Sequence, residues 1–483
     1  MHPILRADPR SGRFIDCLDV LAAGRSSTAD DFAGLRDSVF RRLIPVVDEK
    51  QTVLRLLYTL TMYLLTPVIL YRLAARGLRY RRYLSRWKER FGFFPSPGFA
   101  NSSWVHAVSV GEVNAAVPLI ESLMRSYPDA RMVVTTVTPT GSERVQKLFG
   151  DRVFHVYLPY DLPASVKRFL DRIKPRFAVI METEIWPNLF ITCRERAIPI
   201  VVTNARLSER SLRGYGPVRP LARRAIQCAS FVAAQSPVDA ERLRILGAVE
   251  DRLSVIGNLK FDLSVPPSLA EAGSELRRAW GEQRPVWIAA STHEGEELPV
   301  LKAHSVILQR FPDALLLIAP RHPERFKPVA SSCRSLGFAT RIRSEDESAN
   351  DRCQCFVIDA MGELMQFYAA SDIAFVGGSL DPIGGHNLLE PAALGKPVIV
   401  GPHTFNTEEV ATSLIDANAV LRVANATELG AAVLRLLANP EVRVAMGHSA
   451  QTVLERERGA VERTLRIVEK VLEGGEWRME RGE

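Results

Sequence analysis

The sequence predicts an α/β protein: two doubly wound parallel sheets behind one apolar N-terminal helix. Three observations carry that expectation. From Trp104 to Val400, short β-rich runs alternate with helical stretches. Such alternation builds parallel sheets with helices on both faces. A break at Ser264-Val-Pro-Pro-Ser268 divides the alternation into two halves, each long enough for its own sheet. An uncharged stretch of 16 residues, Leu56 to Tyr71, precedes them.

Composition bounds the class. The 483 residues are 47% hydrophobic and 24% charged, an ordinary globular balance. The six cysteines (Cys17, Cys193, Cys228, Cys333, Cys353, Cys355) include no C-x-x-C pair, and in so long a chain they make no disulfide framework. They read as inert thiols in a reducing compartment. The formal net charge is +7, and Arg72 to Arg90 alone, with eight Lys/Arg and one acid, also sums to +7. The rest is neutral. A nucleic-acid protein would carry its basic residues across the working domain, so nucleic acid is not an expected partner.

That basic stripe follows the apolar run. Sixteen helical residues reach roughly 24 Å, short of a hydrocarbon core of roughly 30 Å. Val53, Leu54, Leu73, Ala74 and Ala75 lengthen the apolar surface, and Arg55 and Arg72 can snorkel. Pro67 is tolerated in lipid. Tyr58, Tyr63 and Tyr71 suit an interface. Residues 53–98 are therefore expected to be a membrane anchor helix, spanning or in plane, with a basic juxtamembrane segment that attracts anionic lipid. The alternative is a buried amphipathic helix packed on the first domain. The first 50 residues hold eight Lys/Arg and eight Asp/Glu, too acidic for a transit peptide. Residues 1–52 are expected to be weakly structured, either a genuine extension or the product of an upstream start.

The first domain is expected over 99–263, with strands Trp104–Ser109, Met132–Val137, Phe154–Leu158, Phe177–Met181, Ile198–Val202, Phe231–Ala234 and Arg252–Ile256. The second is expected over 264–475 with its C-terminal helices, on strands Val286–Ala290, Ala314–Ile318, Cys355–Ile358, Ile373–Val376 and Pro397–Val400. Residues 476–483 are a polar tail. Ligands of such sheets bind at the carboxyl ends of strands, so two facing sheets would place a site in the cleft between them.

Absent motifs narrow the chemistry. No G-x-G-x-x-G follows the first strand, Gly395-Lys396-Pro397 is not a P-loop, and there is no G-x-S-x-G elbow. His293-Glu294-Gly295-Glu296-Glu297 fails H-E-x-x-H at its last position. Nicotinamide, ATPase, zinc protease and serine hydrolase readings drop out. What remains is polar residues at strand ends. Glu112 follows the first strand at a helix start, where the macrodipole alone would favour it. Glu182 and Glu184 follow the strand FAVI; two carboxylates there are costly without a partner or a task. Arg206 suits an acidic group, and Lys260 ends the strand before the break. In the second half, Arg321 is placed to meet a phosphate. Met361-Gly362-Glu363 opens a helix whose amides attract anions. Gly384-Gly385-His386-Asn387 turns into another, with Glu390 suited to ribose hydroxyls.

The strings VSVGE, TTVTPTGSERVQ, HVYLPYDLP, IMETEIWPNL, NARLSERS, GNLKFD, STHEGEE, APRHPERF, MGELMQFYAASDIAFVGGSL, GGHNLLEP and GPHTFN resemble the Kdo transferases of lipopolysaccharide synthesis. Kdo is 3-deoxy-D-manno-oct-2-ulosonic acid. The likeness runs from about Val53 to about Leu472. It implies the GT-B glycosyltransferase architecture, two Rossmann-like domains facing a cleft, and an anchor in the inner membrane, on its cytoplasmic face. It implies transfer of Kdo from CMP-Kdo to the lipid A precursor lipid IVA, with inversion, without a metal and without a further cofactor. By motif it makes Glu112 the base and Glu182 and Lys260 transition-state stabilisers. It assigns CMP to Pro320, Arg321, Met361, Gly362, Glu363, Asn387, Leu388, Leu389 and Glu390. The amides at Gly362 and Gly385 would help to hold the leaving phosphate. Arg206 is a further candidate, for the Kdo carboxylate or a lipid phosphate, that the resemblance does not assign. Residues 1–52 lie outside it. A soluble sugar-nucleotide epimerase and a catalytically dead binding protein are the rival readings. The apolar anchor counts against the first, and the intact Glu112 and HNLLE turn against the second.

Overall fold

The computed structural model describes residues 49–79, 81–263, 265–345 and 352–473. The expectations for residues 1–48 and for the tail after 473 lie outside them. The described residues fall into two units, with the boundary between Thr61 and Met62.

One helix, Glu49–Arg79, contains the apolar run and passes through Pro67 unbroken. Among the described residues it alone is long and apolar enough to cross a membrane, over the 27 residues Thr52–Leu78. At 1.5 Å per residue those reach about 40 Å. Tyr63, Leu64, Val68, Tyr71 and Leu78 stay exposed. The alternative of a buried amphipathic helix therefore does not describe this segment.

The larger unit holds two seven-stranded sheets, and every pairing in them is parallel. The first is built from β1 (Ser102–His106), β2 (Met132–Thr136), β3 (Phe154–Tyr157), β4 (Pro175–Met181), β5 (Ile200–Ala205), β6 (Phe231–Ala234) and β7 (Leu253–Val255), in the order β3-β2-β1-β4-β5-β6-β7. The second is built from β8 (Val286–Thr292), β9 (Leu315–Pro320), β10 (Thr340–Ile342), β11 (Cys355–Val357), β12 (Ile373–Val376), β13 (Val398–Val400) and β14 (Val420–Arg422), in the order β10-β11-β9-β8-β12-β13-β14. The direction of strand addition reverses between β1 and β4 in one sheet and between β8 and β12 in the other. In open α/β sheets these switch points are where ligands bind.

Apolar layers cover both faces of each sheet. Along β1, Trp104 belongs to one layer and Val105 to the other, as the two-residue strand period requires. Cys193, Cys333, Cys353 and Cys355 are buried and free, and burial pushes the Cys193 thiol up to about 12 and that of Cys353 to about 11. Neither is a thiolate at neutral pH.

Three sequence expectations are corrected. Strands β10 and β14 were not foreseen; they are the two edges of the second sheet and only three residues long. The C-terminal helices do not all belong to the second domain. Ala460, Ile467 and Val468 of the last helix, Ala460–Leu472, are buried in the core of the first, and Thr464 Oγ1 meets Thr203 Oγ1 of β5 at 2.9 Å. The basic stripe is not all a lipid-facing flank either. Arg90 is buried, donates to the Val137 carbonyl at 2.8 Å and lies 4.4 Å over the Tyr157 ring. Arg86 reaches the His155 carbonyl at 2.7 Å and pairs with Glu89. These two cations hold the segment onto the first domain.

Candidate active site

At the switch point of the first sheet, β1 runs into the helix Val110–Ser126 and β4 into the loop of Glu182. Glu112 lies in the first helical turn. Its carboxylate folds back to accept the Val108 amide at 2.8 Å and the Ser109 hydroxyl at 3.0 Å. Burial, with the nearby charges of Glu182 and Glu184, pushes its carboxyl up to about 7. Glu112 thus ties the exit of β1 to the start of its helix, and its carboxyl is poised near neutrality, where a general base works best. Glu182 adopts φ +56°, a left-handed conformation that costs a non-glycine residue about 1 kcal/mol. Its amide is held by the Thr203 carbonyl at 2.9 Å. Glu184 accepts from the Trp186 indole at 3.0 Å, and burial raises its carboxyl. The three carboxylates share one corner.

Behind them, buried side chains fix the loops. Asp161 accepts the Asn188 and Leu189 amides at 2.9 and 2.8 Å, capping the helix Pro187–Glu195 after the METEIW segment. Thr183 bonds the Arg206 backbone, which ties the Glu182 loop to the Arg206 loop. Asn204, at φ +53°, accepts the Leu259 amide at 3.0 Å. Lys260 therefore stands on a 3-10 turn, Leu259–Asp262, pinned to the end of β5.

Across the cleft, Pro320 is the last residue of β9 and Arg321 is exposed beyond it. Gly362 takes φ +94°. Met361 is exposed, while Glu363 turns to Arg343 at 3.3 Å and to Gln366 at 3.0 Å. Asn387 bonds the Glu390 carboxylate at 3.0 Å, and burial raises the Glu390 carboxyl. Leu388 and Leu389 bury their side chains in an apolar cluster that includes Phe261. The Gly385 amide is not open to an anion, contrary to the sequence reading. It donates to the Gly378 carbonyl at 2.6 Å, as Gly384 does at 2.9 Å. The reason is a buried carboxylate: Glu296 accepts the amides of His293, Gly378, Ser379 and Leu380 at 3.0, 2.6, 2.9 and 2.8 Å, and so folds the Gly378 loop under the Gly385 turn.

The two domains meet through residues that sequence reasoning missed. Glu409 of the second domain faces Arg206 and Lys260 of the first and accepts a hydrogen bond from Asn258. Arg144, on the helix Pro139–Phe149, donates to Asn114 at 2.6 Å and faces Glu390. Lys147 of the same helix reaches the Met361 carbonyl at 3.5 Å. The string TTVTPTGSERVQ held Arg144 in view and ends one residue before Lys147; only the fold shows that the two cations reach the second domain.

Residues 300–453 match the family model for glycosyl transferases group 1. The UDP-GlcNAc 2-epimerase from Neisseria meningitidis bound to UDP-GlcNAc shares the fold at TM-score 0.53 and 16% identity, covering 77% of this chain and 100% of its own. Two parallel-sheet, Rossmann-like domains, the second matched by the glycosyl transferase model, give the chain the GT-B glycosyltransferase architecture. Residues 85–263 match the model for 3-deoxy-D-manno-octulosonic-acid transferase (kdotransferase). A 3-deoxy-D-manno-octulosonic acid transferase of Haemophilus influenzae is 43% identical over 425 residues, 87% of this chain and 99% of its own length. The C-terminal CMP-Kdo binding domain of WaaA from Acinetobacter baumannii is 39% identical over 39% of this chain and 99% of that domain, at TM-score 0.38. The chain belongs to the Kdo transferase family.

Proposed function

We propose that the protein transfers Kdo from CMP-Kdo to lipid IVA, with inversion and without a metal, at the cytoplasmic face of the inner membrane. The observation that carries this is Glu112: a carboxyl pushed to about 7 at the switch point of the first sheet. It would take the proton of the acceptor hydroxyl as that oxygen attacks C2 of Kdo. The transition state has oxocarbenium character, as in glycoside hydrolysis, and Glu182 stands beside it. Negative charge moves onto the CMP phosphate, where Arg321 and Lys260 oppose it. Asn387 and Glu390 suit the ribose, and Pro320, Met361, Gly362 and Glu363 line the nucleotide. Leu388 and Leu389 contribute backbone, since their side chains are in the core. Arg206 suits the Kdo carboxylate or a lipid phosphate. The helix Glu49–Arg79 would hold the enzyme where a lipid acceptor resides.

The test is mass spectrometry of products from CMP-Kdo, lipid IVA and detergent-purified protein, with and without a chelator. A lipid heavier by one or more Kdo units, with CMP released in both arms, is the expected result. CMP release with no heavier lipid would remove lipid IVA as acceptor. Activity lost on chelation would remove metal independence.

A further inference from the structure

Three imidazoles gather over the switch point of the second sheet. His293 follows β8, His322 follows Arg321 at the end of β9, and His386 lies on the turn after β12. His293 and His386 lie edge to edge in nearly one plane, with ring centroids 5.2 Å apart and 6° between planes, and their Nε2 atoms are 2.9 Å apart. His322 meets His293 edge-on at 5.3 Å. His386 immediately precedes Asn387, so two of the three histidines adjoin residues already proposed to hold CMP.

A hydrogen bond between two ring nitrogens needs one donor and one acceptor. The His293–His386 pair keeps that bond when both rings are neutral and when it carries one extra proton; a second proton breaks it. The pair is built to hold zero or one. We infer that it takes up one proton as the donor's phosphate arrives and returns it to the phosphate of the departing CMP. This rests on the donor-site reading given above.

The charges around the pair set its empty state. Arg321, His293 and His322 face His386. Glu296 and Asp381 face His293, together with His322 and Arg321. Burial lowers His386 to about 4, with Arg321 and the other imidazoles adding to the effect, and burial lowers His293 as well. The empty site is therefore neutral in the pair near pH 7. An anionic phosphate beside Arg321 reverses the balance and favours the charged form. The step then closes without a further reagent. The acceptor oxygen bonds C2, and Glu112 takes its proton. The bond from C2 to the phosphate oxygen breaks, leaving its electron pair on that oxygen. The phosphate, now a dianion, receives the proton stored on the pair, which returns to neutrality.

The test is calorimetric titration of the full detergent-purified chain with cytidine 5′-(methyl phosphate). This diester carries one fixed charge and no group that titrates near neutrality. Buffers of different ionisation enthalpy count the protons. Uptake approaching one proton per ligand near pH 6 is expected, with affinity rising up to about tenfold per unit as pH falls below the bound pair's pKa. His386→Gln and His293→Gln should each abolish the uptake while binding persists. They should also lower kcat by about tenfold or more. Wild-type binding without proton uptake between about pH 5 and 8 overturns the inference, and this needs no variant to fold. Uptake that survives both substitutions also overturns it. No binding at any pH overturns the donor-site reading, and the inference falls with it.

Discussion

The Asp262 carboxylate accepts the Gly459 amide at 2.6 Å, and its other oxygen accepts the Val461 amide at 2.7 Å. The start of the last helix is thus clamped to the end of GNLKFD. The neighbour Phe261 is buried with Leu388 and Leu389 of the second domain, while Lys260 faces the cleft next to Glu409. One short turn carries a cation that faces the cleft, a plug in the opposite core and a helix cap. Asp262→Ala should cost about 1–3 kcal/mol, since two charge-assisted bonds to backbone amides are lost. Asp262→Asn, which keeps one good acceptor, should cost less. Chemical denaturation midpoints check both; an unchanged midpoint in the alanine variant would remove the clamp.

Glu112 links activity and stability through pH. Its folded carboxyl sits near 7, against an ordinary value of 4.5. As a base it works when ionised, so transfer should rise with pH to a plateau above about 7. Folding has the opposite sign. Between 4.5 and 7 the folded state holds a proton that the unfolded chain has released, so stability falls as pH climbs through that window and stays lower above it. Glu112→Gln should abolish transfer while making the protein more resistant to denaturant at pH 8 than the parent. At pH 4, below the unfolded value, the two should converge. A variant that loses activity and also loses stability at pH 8 would leave Glu112 as a structural tie to Val108 and Ser109 only.

How much of this was legible in the sequence follows from local physics. Central strands such as FAVIM and DIAFV are continuous apolar runs because both faces are buried, so they announce themselves. Edge strands β10 and β14 pair on one side only and carry too little apolar pattern in three residues to be read. Glu112 and Glu182 drew notice in the sequence because a carboxylate close behind an apolar strand is conspicuous. Glu409, Arg144 and Lys147 were not, because charged residues on amphipathic helices look like any solvated face until the fold turns them toward a second domain. The return of the last helix to the first domain depends on pairs such as Thr203–Thr464 and Asp262–Val461, far apart in the chain, which no local pattern contains. His386 was read as part of a glycine turn. Its partner His293 is 93 residues away.

Glu296 is the next case of a side chain whose work is entirely backbone. It is fully buried and satisfies four amides, three of them on consecutive residues of the Gly378 loop. Glu296→Ala leaves those amides without an acceptor in a buried setting. It should destabilise the protein by about 3–5 kcal/mol. The Gly384–Gly385 turn rests on the Gly378 carbonyl, so CMP affinity should fall as well. Hydrogen exchange should show lost protection at Gly378 and Ser379. Unchanged protection there would show that the loop holds its shape without Glu296.

The basic stripe divides into two kinds of cation, and membrane binding separates them. Arg90 is buried against Tyr157 and bonded to Val137, whereas Arg72 and Arg81 are exposed. Arg90→Gln should lower thermal stability, by about 1–3 kcal/mol for the buried carbonyl left unpaired and the lost ring contact. It should leave the affinity for vesicles containing anionic lipid unchanged. Arg72→Gln with Arg81→Gln should do the reverse. Each removes roughly 1 kcal/mol of attraction to an anionic surface, about fivefold per residue in a vesicle pelleting assay at low salt, with no change in the melting temperature. The apolar helix Thr52–Leu78 would mask that difference in the full chain if insertion dominates. The pelleting comparison is therefore made at vesicle concentrations where the parent is half bound. Equal pelleting of the double variant and the parent under those conditions would assign membrane attachment to the apolar helix alone.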